Sequence, residues 1–128
     1  MEPTYVSGKP RRWLRLDGGV IFVASIFLFA ATHQPWWIYP VLLFVPDIFM
    51  IGYLRDTKVG AFSYNVGHSY FLPSLVVLIG WEWHHILPIA VGVIWIGHIG
   101  MDRLLGYGLK YDDNFKNTHL GNFAKKKS

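Results

Sequence analysis

Four long apolar stretches, separated by short polar or aromatic links, make up most of this sequence. They cover roughly residues 13–31, 37–54, 59–80 and 84–105. A helix needs about 20 predominantly apolar residues to cross a bilayer, and each stretch is close to that length. The pattern therefore predicts an all-α fold, in which residues 1–128 form a single integral membrane domain with four transmembrane helices and a polar tail over residues 106–128.

The twelve lysines and arginines indicate which ends of these helices face the cytoplasm. They lie before or at the start of the first stretch, between the second and third, and at or after the end of the fourth. The links at 32–36 and 81–83 contain none. Because the excess of Lys and Arg lies in cytoplasmic loops, both termini are predicted to be cytoplasmic, in a multi-pass protein of the bacterial inner membrane. A soluble four-helix bundle would have no reason to segregate its charges in this way.

The composition agrees with a membrane protein and excludes several kinds of site. Charged residues make up 16% of the chain, below the roughly 25% of soluble domains, and the mean hydropathy is +0.29. The chain has no cysteine, which excludes disulfides, thiolate metal sites and cysteine nucleophiles. The net charge of +4 would suit a nucleic-acid partner. The basic residues follow the membrane topology and not one protein face, so no nucleic acid is expected.

Polar residues inside the apolar stretches are predicted to converge at one depth. At roughly 1.5 Å per residue, Asp47, His68, His98 and Asp102 fall in the cytoplasmic half of the bilayer. Ionisable groups in a membrane are expensive and usually face the bundle interior. His98 and Asp102 are four residues apart and Asn65 and His68 three, so each pair shares a helix face. We expect Asn65 to orient His68, and Asp102 to hold one nitrogen of His98 so that the other nitrogen faces a metal or substrate.

This set of side chains suits metal binding and catalysis. Two oriented imidazoles with carboxylates are ligands for a divalent metal such as zinc, iron or manganese. Without a metal, the same groups suit acid–base catalysis. The predicted metal ligands, which are also the predicted catalytic residues, are Asp47, His68, His98 and Asp102.

The leading functional hypothesis is an enzyme in the lipid bilayer that acts on a hydrophobic small molecule or lipid. Two alternatives stay open. One is a transporter or proton-conducting protein, which would be a homo-oligomer because four short helices enclose little volume. The other is an assembly subunit whose polar residues only hold helices together.

The chain beyond the fourth stretch has two possible courses. Gly106 and Gly108 would end the last helix, after which a solvated tail is favoured over a tail that folds back beneath the cytoplasmic mouth of the polar cluster. Arg103 could contact a substrate or extend to lipid headgroups. The predicted substrate contacts are Asn65, Arg103, Tyr107, Lys110 and His119.

Four segments carry a resemblance to a known family. They are residues 45–54 (VPDIFMIGYL), 64–70 (YNVGHSY), 98–111 (HIGMDRLLGYGLKY) and 115–121 (FKNTHLG). The chain resembles small bacterial membrane proteins of the domain-of-unknown-function family numbered 4260, from about residue 13 to residue 121. The resemblance implies a multi-pass membrane protein and brings no established activity with it.

Overall fold

A computed structural model describes residues 6–111 and 116–122 of the chain. Within these residues the fold is all-α apart from one small hairpin, which confirms the predicted class. The remainder of the predicted tail, at 112–115 and 123–128, lies outside the described residues. The elements in chain order are α1 (Gly8–Ala31), α2 (Ile38–Leu43), a 3₁₀ helix (Val45–Leu54), α3 (Thr57–His68), α4 (Phe71–Glu82), α5 (Ile86–Leu105), β1 (Asn117–Thr118) and β2 (Gly121–Asn122).

Two of the four predicted helices are each formed from two helical pieces. Residues 37–54 form α2 and then the 3₁₀ helix, and residues 59–80 form most of α3 and α4, with extended backbone at Ser69. Pro46 begins the 3₁₀ helix, where the missing N–H prevents an α-helical hydrogen bond to the preceding turn. Pro73 lies in the first turn of α4, the place where a helix tolerates proline. The helices α1 and α5 remain unbroken and are long and apolar enough to cross a membrane.

Helix α5 is the central element of the packing. It lies against α1 and α4, while the 3₁₀ helix lies against α3. Gly18 of α1 faces Gly100 and Ser25 faces Gly97, so α1 and α5 run antiparallel. Small residues at these positions let the two backbones approach closely. The buried hydrophobic cluster packs around the first half of α5, which leaves the second half for polar side chains.

The chain after α5 folds back onto the start of α1. Gly106 ends the helix with φ of 93°, a left-handed conformation that favours glycine. Arg11 donates a hydrogen bond to the carbonyl of Leu120, and the Val6 N–H donates to the carbonyl of His119 at 2.8 Å. In its described part the tail therefore packs back onto the helices, whereas the sequence favoured a solvated tail.

Candidate metal centre

Four side chains from three helices meet beside the second half of α5. Asp47 lies in the first turn of the 3₁₀ helix, His68 ends α3, and His98 and Asp102 are one turn apart on α5. Their ligand atoms all lie within 4.8 Å of one another. Both imidazoles are buried, the Asp102 side chain is 13% exposed and that of Asp47 is 36% exposed. The structure thus brings together the four residues that the sequence predicts, with Asp47 at the open side.

Five of the six distances between these ligand atoms lie between 3.1 and 3.6 Å. His68 Nε2 lies 3.1 Å from His98 Nε2, 3.2 Å from Asp47 Oδ1 and 3.6 Å from Asp102 Oδ2. His98 Nε2 lies 3.2 Å from the same oxygen of each carboxylate. Bonds of about 2.0–2.2 Å directed to the corners of a tetrahedron separate neighbouring ligand atoms by about 3.3–3.6 Å. These five separations therefore suit the ligands of one ion, and the group, whose ligand atoms all lie within 4.8 Å of one another, could hold a metal.

Hydrogen bonding indicates which nitrogen of His68 carries the proton. Nδ1 lies 3.0 Å from the backbone carbonyl of Tyr64, a group that only accepts, so Nδ1 is the donor and Nε2 of the neutral ring presents a lone pair. That lone pair faces the carboxylates of Asp47 and Asp102, which also only accept when ionised. In the neutral state His98 can supply a single proton at Nε2. The centre therefore contains more hydrogen-bond acceptors than protons. A cation between the acceptors would interact with those that receive no proton.

His98 is held by ring packing. The Phe44 ring meets it edge-on at 6.1 Å, and its Nδ1 is buried with no hydrogen-bond partner within residues 6–111 and 116–122. Asp102 contacts Nε2, the nitrogen that also faces His68. The expectation that Asp102 would hold one nitrogen and leave the other for a ligand is therefore wrong. The four-residue spacing brings the carboxylate beside the far nitrogen of the ring, where the other ligands converge.

Asn65 does not orient His68, contrary to the prediction. Its Nδ2 donates to the Lys110 carbonyl at 2.9 Å, and its Oδ1 accepts from the Lys110 N–H at 2.6 Å. The imidazole of His68 uses the Tyr64 carbonyl, one turn earlier on its own helix, because the Asn65 amide is engaged by the returning tail. Asn65 thus fixes the backbone of Lys110 against α3.

Lys110 is brought to the centre by these two hydrogen bonds. The residue is 5% exposed, and its Nζ lies 4.6 Å from the centroid of the Tyr64 ring. That ring stacks on the imidazole of His68 at 3.8 Å. Burial lowers the pKa of Lys110 to about 8, although the charges of Asp102 and Asp47 act in the opposite direction. The ammonium is therefore mostly protonated at neutral pH and adds positive charge beside the two carboxylates.

Of the other predicted substrate contacts, Arg103 reaches a residue of the centre through its backbone, and His119 contacts the tail. Arg103 donates to the backbone carbonyl of His68 at 3.2 Å, which ties α5 to the end of α3. His119 Nδ1 accepts from a backbone N–H of the tail at 2.8 Å. Tyr107 lies directly after α5 and is exposed. The structure thus gives Arg103 and His119 roles in holding the tail and helices together.

Tyr64 is the site residue that the sequence analysis missed. It is buried, and its ring is parallel to that of His68, with an angle of 3° between the planes. It also lies beneath the ammonium of Lys110. A signal was present, because Tyr64 precedes His68 by four residues, a spacing that brings side chains together on one helix face.

No curated protein and no solved structure matches this chain. One family model does match, over residues 11–123, and it is described as a domain of unknown function, DUF4260. The match covers all four residues of the centre, together with Tyr64 and Lys110. The resemblance noted in the sequence is thereby confirmed, and the chain belongs to the DUF4260 family.

Proposed function

We propose that this protein is a membrane-embedded enzyme with one divalent metal ion that acts on a hydrophobic small molecule. The ion is held by Asp47, His68, His98 and Asp102. The observation that carries the proposal is the spacing of 3.1–3.6 Å between the two histidine nitrogens and from each of them to both carboxylates. Zinc suits this arrangement best, since it favours four nitrogen and oxygen ligands at tetrahedral corners.

Exposed apolar side chains support a location in the membrane. On α1, Trp13, Val20 and Phe27 all point away from the rest of the protein, and Phe27 is 72% exposed. Phe71 and Trp81 do the same on α4. Soluble monomers rarely expose apolar patches larger than a few hundred Å². We therefore assign the whole chain to one integral membrane domain of four crossings with both termini cytoplasmic, two of the crossings being bent.

Asp47 is the most exposed of the four ligands, and its position allows one coordination site of the ion to become free. Catalytic zinc sites keep three protein ligands and an open position, and they lower the pKa of a bound water to about 7. His68, His98 and Asp102 are the enclosed three ligands, whereas the Asp47 carboxylate lies at the open side. If it moves off the ion, Asp47 can accept a proton from water as a general base. This arrangement favours a hydrolytic reaction.

An apolar cleft beside the centre supports a hydrophobic substrate. The cleft has a volume of about 270 Å³ and lies between the 3₁₀ helix and α5, lined by Pro46, Ile48 and Trp95 among others. Pro46 and Ile48 flank Asp47 in the chain, and Trp95 precedes His98 by three residues. An alkyl chain in this cleft would run alongside two of the metal ligands, since ligand sites are mostly apolar with a few polar groups.

Metal analysis of the purified protein in detergent tests the centre. We expect about one zinc ion per chain, and His68→Ala or His98→Ala should weaken zinc binding by more than the roughly 10–100-fold typical of residues that only support a ligand. His85→Ala is the matched control, since His85 is exposed directly before α5 and should keep the metal. Wild-type protein that binds no added zinc, or folded ligand variants that keep it, would overturn the proposal.

Turnover is tested on a lipid extract of the expression host. Zinc-loaded wild-type protein should change the mass of at least one hydrophobic compound, as followed by mass spectrometry. The metal-free protein and Asp47→Asn should not, because the asparagine cannot accept the proton. An extract that stays unchanged while the protein holds zinc would indicate that the centre only joins helices.

A further inference from the structure

Two arginines from the first two turns of α1 lie side by side at the end of α5. Nε of Arg15 donates to the carbonyl of Leu104 at 2.8 Å. Nε of Arg11 donates to the carbonyl of Leu120 in the returning tail. A Cβ added at Gly106 would lie 2.7 Å from Nη2 of Arg11 and 4.0 Å from Nε of Arg15. Both guanidiniums therefore face the same glycine, which has no side chain to separate them.

The protein supplies little negative charge to this pair of arginines. Within residues 6–111 and 116–122, neither guanidinium forms an ion pair with a carboxylate. The carbonyls at the end of a helix are equivalent to about half a negative charge, and the pair carries two positive charges. Because like charges at close range repel each other, an anion between the two guanidiniums would stabilise this arrangement.

The hydrogen bonds of the two arginines leave their outer donors available. Each guanidinium contacts the protein through Nε, and no hydrogen bond joins its terminal amino groups to a described residue. Both side chains are anchored and half-buried, so their positions are fixed close to the surface. The planar fork of arginine binds phosphate oxygens through two parallel hydrogen bonds. Two such forks beside one glycine can hold one phosphate group.

An apolar groove between the same two helices indicates that the phosphate belongs to a lipid. The groove has a volume of about 190 Å³, and Ile21, Ala24, Val93 and Ile96 are among its lining residues. It begins six residues after Arg15, or about 9 Å along the helix axis. The hydrocarbon of one leaflet is about 15 Å thick. With the guanidiniums at the level of the phosphates, the groove lies at the depth of the acyl chains.

We propose that Arg11 and Arg15 bind the phosphate of an anionic phospholipid, with one acyl chain in the groove between α1 and α5. This site goes beyond the proposed function and uses none of the four metal ligands. The lipid would join three parts of the chain, namely the start of α1, the end of α5 and the returning tail. The stability of the protein should therefore depend on anionic lipid.

Thermal unfolding of the purified protein in a neutral detergent tests the site. The protein is titrated with phosphatidylglycerol, phosphatidylcholine and inorganic phosphate, because a ligand of the folded state raises the midpoint temperature in proportion to its affinity and concentration. Phosphatidylglycerol should raise the midpoint temperature, and the other two should raise it less at the same concentration. Equal stabilisation by phosphatidylcholine would overturn the requirement for a net negative charge. Equal stabilisation by inorganic phosphate would overturn the lipid.

Variants of the arginines distinguish a built site from diffuse attraction. Arg15→Gln should bind phosphatidylglycerol about 10–100-fold more weakly, the range for one lost hydrogen bond to a charged group. Arg11→Lys keeps the charge and loses the fork, so it should weaken binding by at least about tenfold. Arg12→Gln is the matched control, because Arg12 is exposed on the same turn and should lose at most about fivefold. Wild-type affinity in Arg11→Lys, or equal losses in Arg12→Gln and Arg15→Gln, would overturn the site.

A variant of the groove tests the position of the acyl chain. Ala24→Phe fills part of the groove and should weaken the binding of phosphatidylglycerol by at least about fourfold, the contribution of one buried methylene. Val23→Phe is the control, since Val23 is 50% exposed and does not line the groove. Unchanged affinity in Ala24→Phe would overturn the placement of the chain between α1 and α5.

Discussion

His119 connects the described part of the tail to the end of α5 through its ring. Nδ1 accepts from the Leu109 N–H at 2.8 Å, which requires that this nitrogen be unprotonated. Burial, followed by the positive charge of Arg103, lowers the pKa of His119 below its ordinary value of 6.5. The detached or unfolded state therefore takes up the proton first. The stability that this contact contributes is complete above about pH 6.5 and is lost as the pH falls through the lowered pKa.

The midpoint temperature of thermal unfolding in detergent should therefore decrease as the pH is lowered from 7.5 to 5. The comparison is made with His119→Gln, whose side-chain oxygen can accept the same hydrogen bond and does not titrate, so pH effects from elsewhere in the protein are common to both proteins. The wild-type protein should lose more stability than the variant over this interval. Equal losses would show that His119 does not control the attachment of the tail.

At the scale of single residues, the sequence predicts contacts between side chains of the same helix and does not predict contacts between distant parts of the chain. The pairing of His98 with Asp102 follows from a spacing of four residues, and the same rule would have found Tyr64 beside His68. The contact of Asn65 with Lys110 spans 45 residues and forms only because the tail returns over α3. The periodicity of the sequence carries no information about such a return. Sequence spacing alone therefore predicts the nearby His68 as the hydrogen-bond partner of the Asn65 amide.

At the scale of elements, the close contact between α1 and α5 depends on Gly100. A Cβ added there would lie 2.6 Å from the carbonyl oxygen of Gly18 and 2.9 Å from the amide nitrogen of Phe22, and backbone atoms cannot move aside cheaply. Gly100→Ala should therefore destabilise the protein by about 1–3 kcal/mol, as overpacking usually does. The measurement is the free energy of unfolding in mixed detergents.

Gly19→Ala is the control for helix propensity in this pair of helices. The nearest atom to a Cβ at Gly19 is a terminal methyl of Leu104 at 3.1 Å, which can rotate away. Alanine also favours a helix by about 0.5–1 kcal/mol over glycine, so this variant should be as stable as the wild type or slightly more so. If both alanine variants behave alike, the contact at Gly100 is looser than its geometry indicates.

The break between α2 and the 3₁₀ helix shows why apolar length alone does not define an element. Residues 37–54 are long and apolar enough to form one transmembrane helix, and such helices tolerate proline. The break before the 3₁₀ helix has a structural consequence, because the tighter turn directs Asp47 towards His68 and His98. Long 3₁₀ segments are uncommon and often mark functional sites, which agrees with this placement.

At the scale of the whole molecule, the proposed orientation in the membrane would determine which compartment supplies the proposed metal ion and its water. Because the chain has no cysteine, single-cysteine variants report one position each. In spheroplasts, a membrane-impermeant maleimide should label Gln34→Cys and Glu82→Cys, which lie in or beside the links without Lys or Arg. Ser7→Cys and Thr57→Cys, which lie near basic residues at the other ends of the helices, should react only after permeabilisation. Labelling of Thr57→Cys in intact spheroplasts together with Gln34→Cys and Glu82→Cys would place both ends of the second and third crossings outside and contradict the four-crossing topology. The opposite labelling at all four positions would instead invert the protein and place the metal centre nearer the outer surface.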